Sequence, residues 1–185
     1  MNGYLEVILN FVCIIGIISL VLSFVPKINN FFDIRAILYH HFKIFDGNYL
    51  QLFAVYIAPI LFSIWIVIRQ TVTKDILEEV NLIITILTSM FFAIIGILSS
   101  IDLKDKTSKY KKIVEETFNS TLFEIICCLI ALLMSFIIIF INNYNHTLSL
   151  KIFSTLIYYF IIVIILNVFL LLKRIAMLFE KNLDD

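Results

Sequence analysis

The chain has 185 residues, of which 62% are hydrophobic against about 45–50% in soluble domains, and its mean hydropathy is +1.04. Only 15% of the residues are charged, and 14 basic side chains balance 14 acidic ones. That composition excludes a soluble globular domain, and the balanced charge excludes a net-charge-driven nucleic-acid surface. The charges leave five long gaps instead: residues 7–26, 47–68, 80–101, 125–150 and 152–172 contain no Asp, Glu, Lys or Arg. A hydrocarbon core about 30 Å thick takes roughly 20 apolar residues in a helix rising about 1.5 Å per residue. Each run holds 20 to 26 residues. The predicted fold is therefore all-α, a polytopic transmembrane helix bundle forming one domain over 1–185. Its expected spans are about 6–26, 49–69, 80–101, 121–142 and 152–173.

The first run lacks a basic leader and ends in Val25-Pro26 rather than a small-residue cleavage site, so it is expected to persist as a span. In a four-span alternative it lies in the interface. The 27–48 segment that follows places Phe31, Ile34, Leu38, Phe42 and Phe45 on one helical face. Asp33, His40 and Lys43 fall roughly opposite, which predicts an amphipathic helix in the headgroup layer. Adjacent residues point about 100° apart on a helix, so His40 and His41 form a poor chelate and are expected to be solvated. In the second span, Ala54 and Ala58 precede Pro59, whose missing backbone donor predicts a kink and a candidate hinge.

The third span carries a stripe of Thr85, Ser89, Ala93, Gly96 and Ser100 on one face. The fourth carries Glu124, Cys128, Ala131, Ser135 and Asn142. Helices in lipid associate through small residues and hydrogen bonds, so these stripes are expected to pack face to face, or else to line a hydrated path in an oligomer. Between them, 102–120 has no Pro or Gly and is expected to extend the third span as a charged helix. Its Lys104, Lys106, Lys109, Lys111 and Lys112, with Lys173 and Arg174 in the tail, form a candidate docking surface for a soluble partner. The 142–147 stretch reads as a short polar turn.

Glu124 is the strongest single-residue lead. A carboxylate one turn inside a span is costly unless paired or hydrated, and Lys173 or Arg174 at the end of the fifth span are its expected partners. An ion pair is the structural alternative and a protonation or gating role the functional one. Asn167, deeper in the fifth span, needs an amide partner and could fix register across a subunit interface. Cys13, Cys127 and Cys128 lie in apolar runs without metal or redox spacing and read as packing residues.

Basic residues alternate between loops, 11 on one side and 3 on the other. The positive-inside rule then puts the N-terminus outside and the segments 27–48, 102–120 and 174–185 in the cytoplasm. The 37 isoleucines fit an AT-rich bacterial source, so the inner membrane is the expected location. No HExxH, GxSxG or Walker sequence occurs. Glu78-Glu79 resembles the paired glutamates of CAAX-type intramembrane proteases, but Ile83 stands where those need arginine. Neither an enzyme nor a bound cofactor or metal is expected.

In size, isoleucine content, loop brevity and span number the chain resembles small polytopic proteins of bacterial antiphage defence islands. The nearest such family is the membrane subunit of the Kiwa defence system. The likeness covers the whole chain and rests on no motif, so no residue role follows from it. It implies a homo-oligomeric inner-membrane assembly, a tetramer or similar ring, that responds to infection alongside a soluble nucleic-acid-directed partner. The chain itself is not expected to bind nucleic acid. Three functions follow as alternatives: a sensor or scaffold coupled to a cytosolic effector, a pore-forming effector, or a small transporter or accessory subunit.

Overall fold

The computed structural model describes residues 34–45, 47–104, 106–142 and 147–184. The expected first span, Cys13, Phe31, Asp33, the 143–146 turn and the side chain of Asn142 lie outside them. By internal contacts the chain divides into two units, Met1–Leu38 and Tyr39–Asp185, and the helices from Tyr39 onward belong to the second.

Among the described residues every regular element is a helix and none is a strand. Helix α1 is Arg35–Lys43, with its last turn from Tyr39 onward in the second unit. It ends in a turn where Ile44 and Phe45 donate backbone bonds to the His41 and Phe42 carbonyls, at 3.2 and 3.0 Å. Gly47 then takes φ +86°, a left-handed value that a side chain would oppose. Asn48 caps helix α2, Tyr49–Arg69, by accepting from the Gln51 amide at 3.4 Å.

Proline shapes α2 locally. The turn Phe53–Ile57 is π-helical, with the Ala58 amide reaching back to the Phe53 carbonyl. Buried Pro59 sits in the first turn of the α-helical segment that follows, where its missing donor costs least. The expected distortion is thus a widened turn ahead of Pro59. Helix α3, Lys74–Ser99, starts at Thr73, whose hydroxyl accepts from the Ile76 amide at 3.4 Å, with Asp75 favouring the positive end of the dipole.

The charged extension belongs to the fourth span, not the third. Helix α3 stops at Ser99, and residues 101–103 leave helical geometry. Asp102 then accepts from the Lys104 amide at 3.0 Å, and Thr107 accepts from the Tyr110 amide at 3.3 Å. Those short polar bonds compete with helix continuation, and helix α4 begins anew at Ser108 and runs to Asn142. Helix α5 is Thr147–Asp184. With 35 and 38 residues, α4 and α5 are about 52 and 57 Å long, well beyond a hydrocarbon core of about 30 Å.

Helices α4 and α5 pack along each other as an antiparallel pair, α3 lies against α4, and α2 lies against α5. At one end Val72 and Leu77 meet Ile138 and Ile157, and the Val72 amide donates to Ser154 Oγ at 3.2 Å. At the other, Leu98 meets Tyr110, Val114 and Leu178. Four helices are long and apolar enough to cross a membrane: α2, α3, and the stretches Ser108–Ile139 and Leu148–Glu180 of α4 and α5. Their outward faces carry Leu61, Ile68, Phe92, Leu133 and Phe169, all exposed, as lipid contact requires.

The two small-residue stripes do not meet. Glu124, Cys128, Ala131 and Ser135 of α4 are buried, but Thr85, Ser89, Ala93, Gly96 and Ser100 of α3 all face outward. Helix α3 instead buries Leu77, Ile84, Phe91 and Leu98, seven residues apart. Two causes act together. Large side chains make more dispersion contacts in the groove beside α4. The stripe hydroxyls bond to their own helix: Thr85 donates to the Asn81 carbonyl at 2.7 Å, Ser89 to Thr85 at 3.0 Å and Ser100 to Ile97 at 2.7 Å. They need no partner from another helix.

Candidate functional site: a buried polar cluster at the end of helix α1

The last turn of α1 inserts His41 among α2, α4 and α5. Its ring stacks on Phe123 of α4 with centroids 3.9 Å apart and planes 7° from parallel, and Phe42, Phe45 and Tyr56 meet it edge-on or lie beside it. His41 is 3% exposed. The expectation that both histidines are solvated holds for His40 and fails for His41. The physical reason is the aromatic wall: a neutral imidazole buries its faces well against Phe123 and keeps one nitrogen for hydrogen bonding.

That nitrogen, Nε2, is hydrogen-bonded to the Tyr56 hydroxyl, and Tyr56 in turn is bonded to the Asn167 amide on α5. Two proton arrangements are self-consistent. In one, Tyr56 donates to His41 Nε2 and accepts from Asn167 Nδ2 at 3.3 Å. In the other, His41 Nε2 donates to Tyr56, which donates to Asn167 Oδ1 at 3.5 Å. The Asn167 amide, which needs a partner in the apolar span, finds one within the chain. Burial, and secondarily the Arg174 guanidinium, lower the His41 base to about 3, so the ring is neutral near pH 7.

Glu124, the residue after Phe123 on α4, points about 100° away from it and is also buried, 1% exposed. Asn167 is the hydrogen-bonding side chain that faces it, yet neither carboxyl oxygen closes a hydrogen bond, and His41 Nδ1 is also without one. The predicted ion pair with Lys173 or Arg174 does not form. Arg174 Nη1 donates to Ser120 Oγ at 3.3 Å and lies 3.8 Å from Glu116 Oε2, while Lys173 is exposed. Glu116 wins because it sits two turns nearer the charged end of α4, where both partners retain some water. An ionised Glu124 in this packing would be a buried charge without a counter-ion, so the arrangement suits the neutral acid.

The remaining predicted positions scatter. Lys104, Lys109, Lys111 and Lys112 are exposed, and Lys106 lies 5.4 Å from the Tyr110 ring. Lys111 Nζ donates to the Lys104 carbonyl at 3.4 Å, and Lys112 lies 3.8 Å from Glu116. Of these lysines only Lys112 lines a cleft of about 580 Å³, together with His40, Lys43, Ile44, Glu115, Glu116 and Asn119. Cys127 and Cys128 are buried and unpaired. Among the described residues no group of three His, Cys, Asp or Glu is placed to hold a metal.

Sequence reasoning missed Tyr56, Phe123, Glu116 and Ser120. Tyr56 carries a readable signal: a phenol in the middle of an apolar run, rather than at its interfacial rim, needs a hydrogen-bond partner. Phe123 carries none, being one phenylalanine among 18. Within the cluster, His41 Nε2 and the Tyr56 hydroxyl can exchange donor and acceptor roles while the Asn167 amide bonds to the phenol, and these bonds tie the last turn of α1 to α2 and α5. Comparison of the chain with models of protein families, with curated proteins and with solved structures finds no match in any of the three.

Proposed function

We propose that this chain is the membrane-embedded sensor or scaffold subunit of a bacterial antiphage defence system, coupled to a cytosolic effector. The observation that carries this reading is where the polar groups sit. The bundle interior is closely packed, with Cys128, Ala131, Ile138 and Ser154 fully buried. The charged concavity lined by Lys43, Lys112 and Glu115 lies instead at the end that the charge distribution assigns to the cytoplasm. A protein that recruits a partner needs accessible charge outside the bilayer, whereas a transporter needs a hydrated central site. The buried cluster supports the sensor element: it fastens α1 with few bonds around an unpaired carboxyl, a small barrier to bistability.

The test is coexpression with the soluble product of the adjacent gene, using a Lys109→Glu, Lys111→Glu, Lys112→Glu variant. The scaffold reading expects the variant to stay in the membrane, lose co-purification of that product and lose protection against phage. Unchanged co-purification would end the docking assignment. The outward stripe of α3 favours a pore as the second reading, with Ser89 facing the axis of a ring of copies. In that case purified protein makes liposomes leak ions, and Ser89→Phe reduces the flux. Liposomes that stay tight with and without the partner exclude it.

A further inference from the structure

A second feature of the bundle is unrelated to the polar cluster. Between α2 and α5 runs an open apolar groove of about 600 Å³. Its floor is small because Ala54, Ala58 and Pro59 face it, and Phe62, Trp65 and Leu166 form the walls. The π-helical turn and Pro59 shape this stretch of α2. From Ala54 to Trp65 is 11 residues, about 17 Å of helix, which matches half of a hydrocarbon core about 30 Å thick. The groove is as long as one leaflet is deep.

Its end is marked by a cation. The Arg69 guanidinium lies 4.4 Å from the centroid of the Trp65 ring, which stacks on Phe62 at 5.6 Å. Arg69 is exposed, and among the described residues no carboxylate lies within ion-pair distance of it. Tryptophan and arginine at the rim of a span occupy headgroup depth, where the available anion is phosphate. A guanidinium oriented by an aromatic face keeps its N–H edge free for two oxygens of one phosphate.

We propose that this groove binds one phospholipid, with an acyl chain along Ala54–Trp65 and its phosphate on Arg69. The pairing of an acyl-length apolar groove with a cation at headgroup depth matches a phospholipid, which carries both a chain and a phosphate, better than an apolar face alone.

The experiment is native mass spectrometry of the full chain in mild detergent, titrated with phosphatidylglycerol. Wild type should retain one lipid per chain saturably. Arg69→Gln should bind about fivefold more weakly, as expected for one cation at a charged surface. Ala58→Trp, which fills the groove, should lose the bound lipid; Ala58→Leu serves if the larger variant loses helical circular dichroism. Lipid binding that is non-saturable, or unchanged in the Ala58 variants, overturns the site. Equal affinity in Arg69→Gln, or displacement of the lipid by millimolar inorganic phosphate alone, overturns the combined chain-and-phosphate recognition. Loss of self-association rather than lipid in the Ala58 variants assigns the groove to a second copy and also overturns the proposal.

Discussion

Replacing Tyr56 with Phe removes one oxygen and leaves two partners, His41 Nε2 and Asn167, without it. Leaving buried polar groups unpaired costs about 1–3 kcal/mol each way it is measured, so Tyr56→Phe should destabilise the bundle by about that amount in detergent-mediated unfolding. Glu124→Gln should cost less than about 1 kcal/mol, because the amide keeps the shape of the neutral acid. A larger loss for Gln than for Phe at position 56 would reverse this ordering. His41 supplies a pH test. In the fold its base is lowered to about 3, whereas an unfolded histidine titrates near 6.5. Between those values the unfolded chain binds more protons, so stability falls as pH drops, by at most about 1.4 kcal/mol per unit, and is unaffected by this group above pH 7.5. The groups facing the ring are Tyr56 on α2, Arg174 on α5 and, through Tyr56, Glu124 on α4. Comparing unfolding at pH 7.5 and 5.0 should show a smaller loss for His41→Phe than for wild type.

At the scale of elements, α3 is the informative helix. A Cβ built on Gly96 meets nothing within 4 Å, so the close approach that glycine permits is unused within the chain. Gly96→Ala should therefore stabilise the isolated protomer by about 0.5–1 kcal/mol through helix propensity alone. If copies associate through this stripe, the same methyl weakens the oligomer, and size-exclusion chromatography with light scattering separates the two effects. The stripe was legible in the sequence as a stripe; the face it presents was not. Spacing alone establishes that Thr85, Ser89, Ala93, Gly96 and Ser100 share a side, but the opposite side, with Leu77, Ile84, Phe91 and Leu98, also has helical spacing. Which face packs inward depends on the width of the groove beside α4. The charged extension shows the same limit. Lysine-rich helical spacing in 102–120 is visible in the sequence, whereas its break at 101–107 follows from hydroxyl and carboxyl bonds to the backbone.

For the whole molecule, four helices among the described residues are long and apolar enough to cross a membrane, so the chain should remain in the membrane pellet after carbonate washing of broken cells; recovery in the supernatant would contradict a membrane location. That the fold is all-helical, with helices long and apolar enough to cross a membrane, was readable from sequence alone, because absence of charge over some 20 residues is a one-dimensional property to set against hydrocarbon thickness and helix rise. Pro59 belongs to the same class, since it acts on the backbone within a few residues of itself. Only the tertiary structure decided that Arg174 serves Glu116 rather than Glu124, that Asn167 bonds to Tyr56 within one chain, and that His41 but not His40 is buried. Those pairings join residues up to 111 positions apart. They depend on the rotation of each helix about its axis and on its depth beside its neighbour, which side-chain packing sets and periodicity leaves open.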